Sequence, residues 1–182
     1  MTSIYRTIRI ERGAWPRVAA ALDDAYGIWR GEIGWYSDEG AIVSTTPIEG
    51  EVDGVISFAE RRIVPTVRPT NDAPPTEDGV YAHRWFEVRS DDLDEFIALS
   101  DGAWPDFEST YGVRIVGLWR DLEPPSGTEH LLLITRYPSL AVWERSRPYS
   151  PGPGAEEARK RFMRRADITI RTGVRLGRLV RP

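Results

Sequence analysis

The stretch from Gly79 to Tyr137 constrains the fold most, because its hydrophobic period changes along it. Apolar residues occupy four of the five even positions of residues 80–88, which is typical of a strand. They then recur at threes and fours, which indicates a helix in which Pro105 is expected to kink or interrupt the chain. The unbroken Leu-Leu-Leu-Ile further on predicts a central strand buried on both faces. The predicted elements are strand 80–88, helix 91–111, strand 113–120 and strand 129–137.

The residues after Tyr137 complete a second β-α-β unit. Ser139 is expected to cap a short helix, a loop is predicted at 148–154, and a helix follows at 155–165. Alternating residues from Ile168 to Gly177 predict a last strand. The order is therefore β-α-β-β-α-β, that of a ferredoxin-like unit in the α+β class.

The first part of the chain reads as a weaker copy of this unit. It shows a strand at 3–11 and an amphipathic helix from Trp15 through Trp29. Two strands at 41–47 and 52–60 follow, with a possible edge strand at 61–69 and no second helix. A shift of 76 residues lays Ile4–Ile10 on Val80–Phe86. Residues 69–79 hold three prolines and no large apolar side chain. The predicted organisation is a degenerate half at 1–70, a linker at 71–79 and a complete half at 80–182.

In each of these two antiparallel sheets, the face that carries no helices must also be buried. Packed face to face, they close an eight-stranded barrel that can hold one small ligand. Closure within one chain would make an internal pseudo-dimer, and the sequence leaves open a monomer, a homodimer and closure between two chains.

Composition excludes several classes of function. The net charge of −4 gives no general attraction to nucleic acid or to an anionic membrane. The absence of cysteine excludes disulfides, thiolate metal sites and a cysteine nucleophile. Neither a signal-peptide pattern nor a membrane-spanning run is present, so a cytoplasmic bacterial protein is expected.

Three segments of the second half together resemble the NIPSNAP family of the dimeric α/β-barrel superfamily. They are a Tyr-x-x-Arg strand at Tyr81 and Arg84, a glycine-bounded strand from Gly112 to Trp119, and an Arg-Tyr-Pro-Ser turn at 136–139. In the first half Tyr5 matches Tyr81, but Ile8 replaces the arginine. The resemblance implies the barrel fold and no agreed reaction, in a superfamily with cofactor-independent monooxygenases, haem proteins and stress-response proteins.

Strand alternation predicts which side chains enter the barrel. The even positions of the first strand of each half are more apolar, so they are expected to meet the helices. The inward residues are then Tyr5, Thr7, Arg9, Tyr81, His83, Trp85 and Glu87, with Thr169, Arg171, Gly173 and Arg175 from the last strand. Such an aromatic pocket with a few polar groups suits a small ligand. The candidate substrate-binding residues are Tyr5, Arg9, Tyr81, Trp85, Arg171 and Arg175.

His83 is the main catalytic candidate among the two histidines. It could act as a general base oriented by Glu87 or Tyr81, which makes His83 and Glu87 the predicted catalytic pair. The alternative is a core histidine with a satisfied hydrogen bond. His130, at the start of a strand, is interpreted as a surface residue. Arg171 and Arg175 fit either an anion clamp or a solvated sheet edge.

These residues favour a barrel protein that binds a small aromatic or apolar molecule, and they leave open whether it is an enzyme. An enzyme would suit cofactor-independent oxygenation, proton transfer or cyclisation. The alternative is a non-catalytic interaction or scaffold module. No metal and no cofactor are expected, because no His, Asp and Glu cluster has metal spacing. A lone histidine still leaves haem as a minor alternative, and no nucleic-acid or membrane partner is expected.

Overall fold

The computed structural model describes residues 2–48, 50–148 and 155–181. This part of the chain contains eight strands and four helices, with a short 3-10 turn at Ser90–Asp92. The elements in chain order are β1 (Ser3–Ile10), α1 (Trp15–Ala21), β2 (Gly27–Ile33), β3 (Glu39–Ser44), β4 (Val55–Pro65), β5 (Val80–Arg89), α2 (Leu93–Tyr111), β6 (Arg114–Asp121), β7 (Thr128–Tyr137), α3 (Leu140–Ser146), α4 (Glu156–Asp167) and β8 (Thr169–Leu179).

The eight strands form one closed antiparallel barrel in the order β1-β3-β2-β8-β5-β7-β6-β4. Each half contributes four strands in the same relative order, β4-β1-β3-β2 and β8-β5-β7-β6. Two seams join the halves, where β2 pairs with β8 and β4 pairs with β6. The predicted fold of two tandem ferredoxin-like units in an α/β barrel is confirmed, and the barrel closes within one chain.

The predicted central strand is β7, which pairs with β5 on one side and β6 on the other. Leu131 and Leu133 pack on the helix side of the sheet, beside Phe96 of α2. Leu132 and Ile134 point into the barrel. Burial of both faces explains the continuous apolar run in the sequence.

Helix α2 differs from its prediction in two respects, its continuity at Pro105 and its start at Ser90. It continues through Pro105 without interruption, with Phe96 and Trp104 buried before that residue and Phe107 packed against the same core after it. Tertiary packing of these side chains therefore outweighs the one backbone hydrogen bond that proline removes. Ser90 opens the preceding 3-10 turn and makes no cap hydrogen bond. Ser139 does cap α3, because its hydroxyl accepts a hydrogen bond from the Val142 amide at 3.3 Å.

The first half contains the largest error of the sequence-based reading. The predicted helix through Trp29 ends at Ala21, and Gly27–Ile33 is strand β2. Trp29 enters the barrel, and its indole folds back over Gly27, where an added Cβ would lie 2.3 Å from the ring. The residues expected to form one helical stripe therefore divide between a helix and a strand.

Strand β4 is a single element that runs through both segments predicted as separate strands. It pairs with β1 and β6, so it is not an edge strand. The described residues between β3 and β4 contain no helix, as expected. Ile56 and Phe58 on β4 are consequently more than half exposed.

Two remaining segments are the predicted linker and the loop predicted before α4. Residues 69–79 form neither helix nor strand and are mostly exposed. The division into two halves and a linker stays a prediction. The loop predicted at 148–154 lies outside the described residues from 149 onward. No helix in the described ranges has the length and apolar character needed to cross a membrane.

Candidate functional site

The barrel interior is packed with aromatic side chains at the start of β5. Trp29 and Tyr81 lie with ring centroids 5.7 Å apart, and Tyr26 and Trp119 lie 6.1 Å apart. Ile63 fills the same layer. This part of the barrel is a solid core that supports the residues further along the strands.

Further along β5 the interior opens into a cavity of about 840 Å³. Six strands of the barrel contribute to its wall. The side chains that matter for its chemistry are Tyr5, Arg61, His83, Trp85, Glu87, Asp121, His130, Arg171 and Arg175. Six of these nine are residues that strand alternation placed inside the barrel.

His83 lies on the wall of this cavity and is only 1% exposed. Its Nδ1 atom lies 3.2 Å from the Tyr5 hydroxyl oxygen, and its ring packs edge-on against Trp29 at 4.8 Å. Burial lowers the pKa of His83 to about 3 and raises that of Tyr5 above its ordinary value. Both side chains are therefore neutral at physiological pH. The Nε2 atom of His83 is buried without a hydrogen-bond partner.

The partner of His83 is Tyr5, so the expectation that Glu87 or Tyr81 orients His83 is wrong. The Tyr81 hydroxyl donates a hydrogen bond to the Glu77 carbonyl at 2.6 Å. Glu87 lies four residues along β5, roughly 13 Å away at about 3.3 Å per residue. Its carboxylate oxygen is 4.0 Å from Nε2 of His130.

A polar group on the opposite wall escaped the sequence analysis. Arg61 lies 2.6 Å from the Asp121 carboxylate and 3.5 Å from Nδ1 of His130. Its guanidinium also stacks over the Trp85 ring at 5.1 Å. The interpretation of His130 as a surface residue is wrong, because its side chain is 20% exposed and lines the cavity. Continuing the alternation through β4 would have placed Arg61 inside the barrel.

Arg171 and Arg175 lie at the mouth of the cavity and are exposed. Within the described ranges, neither makes an ion pair with a carboxylate. The Arg175 guanidinium stacks over Trp35 at 4.7 Å, a contact that the sequence did not indicate. Strand β8 pairs with β2 and β5, so the solvated sheet edge is excluded as their explanation. Both cations remain available to an anionic ligand.

Three residues that were predicted to line the cavity do not line it. Arg9 pairs with Asp38 at 2.8 Å in an adjacent cleft of about 620 Å³, and this hydrogen bond lowers the pKa of the Asp38 carboxyl. Tyr81 is fully buried in the packed layer, where burial raises its pKa to about 12. Thr169 donates a hydrogen bond to the Arg165 carbonyl on the helix side, because the register of β8 shifts near its start.

The fold and the cavity define an α/β barrel of the dimeric, ferredoxin-like type, built here from one chain. Among solved structures, an anthrone oxidase-like protein matches with a TM-score of 0.63 and 12% identity, covering 98% of this chain and 91% of that chain. A candidate monooxygenase from Lactobacillus acidophilus NCFM matches with a TM-score of 0.63 and 11% identity, covering 97% and 93%. A ferredoxin-fold protein from Listeria monocytogenes, related to antibiotic biosynthesis monooxygenases, gives 0.52 and 11%, covering 98% and 94%.

At these identities the likeness shows the fold alone. No protein-family model matches the chain, and no curated protein matches it. The solved structures support the dimeric α/β-barrel fold, and the resemblance to the superfamily and to its NIPSNAP family stays a prediction.

Haem occurs in the superfamily that the sequence resembles, and the two histidines are the residues that could hold its iron. Haem iron needs an accessible imidazole nitrogen. Nε2 of His83 is buried, and the two nitrogens of His130 face Arg61 and Glu87. Neither histidine fits a haem ligand in this arrangement. The described residues also hold no group of three His, Asp or Glu side chains that could bind a metal ion.

Proposed function

We propose that the barrel binds a planar aromatic molecule with an acidic group in the cavity beside His83. The observation that supports this most is the combination of an aromatic wall with two cations that have no carboxylate partner. Trp85 and Tyr5 meet edge to face at 5.6 Å and present apolar surface. Arg171 and Arg175 lie at the mouth on β8, the strand that pairs with β5 beside Trp85. Pockets that hold small ligands combine these two kinds of surface.

His83 supports this wall from behind, because its Nε2 atom is buried and out of reach of a ligand. Its hydrogen bond with the Tyr5 hydroxyl holds the Tyr5 ring in place. The ligand class is therefore an aromatic acid.

Binding can be tested with 2-naphthoate and its neutral analogue 2-naphthamide, followed by tryptophan fluorescence. Arg175→Gln should weaken naphthoate binding about tenfold and leave the amide unchanged, since one charge-assisted hydrogen bond contributes about 1.5 kcal/mol. Arg178→Gln on the same strand is the control, because Arg178 pairs with Glu32 outside the cavity.

Gly173 provides a direct test of the cavity. A Cβ built at Gly173 meets no atom within 4 Å, and the residue lines the cavity. Gly173→Val should fold normally and weaken both probes more than about tenfold, because its side chain occupies ligand space. Unchanged affinity in this variant would contradict the proposed location of the site.

The Glu87 carboxylate favours a catalytic role for the cavity, in which Glu87 removes a proton from a carbon atom of the ligand. A base with a pKa of about 3 holds a proton poorly near pH 7, so Glu87 is a better candidate for the base than His83. Glu87 carries a carboxylate on the cavity wall, and no Arg or Lys of the described residues lies within 4.0 Å of it. We propose that Glu87 removes a proton from a ligand carbon that is acidified by a conjugated carbonyl group.

Anthrone is a suitable probe, because its two aryl rings conjugate the methylene carbon to the carbonyl group on the opposite side of the central ring and so acidify the methylene protons. Glu87 would take one proton from the methylene, and the carbanion would transfer electrons to O₂, giving anthraquinone and one water from one anthrone and one O₂. Glu87→Gln should remove any acceleration over the buffer rate, whereas Glu123→Gln, at the cavity rim and paired with Arg62, should retain it. Turnover at the buffer rate by the unaltered protein would leave a binding or interaction module as the function.

A further inference from the structure

Two arginines outside the barrel lie between strand β5 and helix α4 and share one aromatic neighbour. The guanidinium carbon of Arg84 is 5.9 Å from the Phe86 ring centroid, and that of Arg165 is 5.1 Å from it. Arg165 also stacks over Phe96 and Phe162. Both residues are partly buried. The two cations are therefore held in a mainly aromatic environment beneath the helices.

Neither arginine has an acidic partner. In the described part of the chain, no carboxylate lies within 4.0 Å of Arg84 or Arg165, although the same criterion finds partners for many other arginines. Arg165 donates one hydrogen bond to the Ser100 hydroxyl at 3.2 Å, and Arg84 makes none. The sequence at 149–154 contains no Asp or Glu that could supply a partner.

The surrounding groups add positive charge rather than cancel it. The pKa of Arg84 is lowered to about 10, chiefly by burial, with the nearby Arg147 as the next cause. Burial likewise lowers the pKa of Arg165 to about 10, with Arg84 as the next cause. Tyr137, whose pKa is raised by burial, has all three arginines as neighbours that lower it. The three cations therefore lie around one phenol.

An arrangement of this kind is costly without a ligand. A buried charge that lacks a partner destabilises a fold by several kcal/mol, and like charges close together add to this. Guanidinium groups bind phosphoryl oxygens with paired hydrogen bonds, and a phosphoryl group carries about two negative charges at neutral pH. A single carboxylate would neutralise less of the cluster.

We propose that Arg84, Arg165 and Arg147, with the Tyr137 hydroxyl, form a binding site for a phosphoryl group on the outer side of the barrel. Phe86 and Phe96 form its apolar base. The site is separate from the His83 cavity, because Arg84 points to the opposite face of β5 from His83 and Trp85. It does not depend on the function proposed above.

Thermal unfolding tests this site with the full chain in a phosphate-free buffer. Sodium phosphate should raise Tm of the unaltered protein in a saturable way, beyond sodium chloride of equal ionic strength. Ribose 5-phosphate is the second probe. If Tm rises at lower concentrations of ribose 5-phosphate than of phosphate, the ligand is a phosphorylated small molecule. If the two compounds act at equal concentrations, the ligand is free phosphate.

Arg84→Met is expected to raise the stability of the protein and to weaken its binding of phosphate. Replacing an unpaired buried cation with an apolar side chain of similar length should raise Tm without phosphate and weaken the phosphate response at least about tenfold. Arg178→Met is the control, because Arg178 is exposed and pairs with Glu32. Arg165→Met should repeat the loss of response if Arg84→Met is poorly folded.

Two results would overturn the proposal. One is a phosphate response no larger than that of chloride in the unaltered protein. The other is a phosphate response in both arginine variants equal to that of the unaltered protein, which would place any bound anion elsewhere.

Discussion

The buried histidine gives the protein a pH-dependent stability that can be assigned to one side chain. The pKa of His83 is about 3 in the folded barrel and near 6.5 when the residue is exposed. Below pH 6.5 the unfolded chain therefore binds a proton that the folded chain refuses. The free energy of unfolding must fall as the pH falls through this window.

The magnitude follows from the size of the shift. Each pKa unit corresponds to about 1.4 kcal/mol, so the full shift amounts to at most about 5 kcal/mol by pH 3. Between pH 6.5 and 4.5 the expected loss from His83 alone is about 2–3 kcal/mol. A loss of this size is a large fraction of the stability of an ordinary domain, which is about 5–15 kcal/mol.

His83→Asn isolates this contribution, because the amide oxygen can still accept a hydrogen bond from Tyr5 but does not titrate. Urea unfolding at half-unit steps from pH 4 to pH 8 gives the free energy of unfolding for both proteins. Other titrating groups cancel in the difference between the two proteins. That difference should shrink by about 1.4 kcal/mol per pH unit below pH 6.

Parallel curves for His83→Asn and the unaltered protein would refute the reasoning. They would mean that His83 is protonated in the folded state without cost. The buried position beside Trp29 would then not determine its charge.

Other side chains give further predictions. Leu132→Ala should lower the free energy of unfolding by about 2–5 kcal/mol in urea titrations, because the side chain is fully buried, whereas the exposed Leu122→Ala should change it by less than about 0.5 kcal/mol. Gly27→Ala should cost about 1–3 kcal/mol because its Cβ meets the Trp29 ring, and Gly173→Ala should raise Tm slightly in differential scanning fluorimetry, because alanine is more favourable than glycine in a strand by about 0.5–1 kcal/mol. Haemin added to the purified protein should give no shifted Soret band in absorbance spectra, and a sharp band would contradict the fit of the histidines.

The second half could be predicted from the sequence because its local signals agree with its tertiary environment. The period changes from two to three or four at Ser90 and returns to two at Arg114. In the first half, Tyr26 and Trp29 continue the helical spacing of α1 by coincidence. Their positions are set by the barrel interior, which exists only when both halves are present. Local periodicity cannot contain that information.

The candidate site could likewise be predicted from the sequence only in part. Alternation on β5 placed Tyr81, His83 and Trp85 inside the barrel, because a strand has only two faces. It could not tell the packed layer from the cavity, and so it grouped Tyr81 with His83. The partner of His83 comes from β1, and no spacing in one strand reveals a contact across the barrel.

Two glycines on β8 have different surroundings, and the packing of the barrel requires only one of them to be glycine. At Gly177 an added Cβ would lie 2.8 Å from the Arg30 carbonyl, so close approach of two backbones requires glycine there. Gly173, opposite Trp85 on the same strand, has no such neighbour. Glycine weakens a strand and supplies no packing, so the barrel would be more stable with a larger residue at that position. Its side-chain space lies in the cavity beside Trp85, which is where an aromatic ligand would stack.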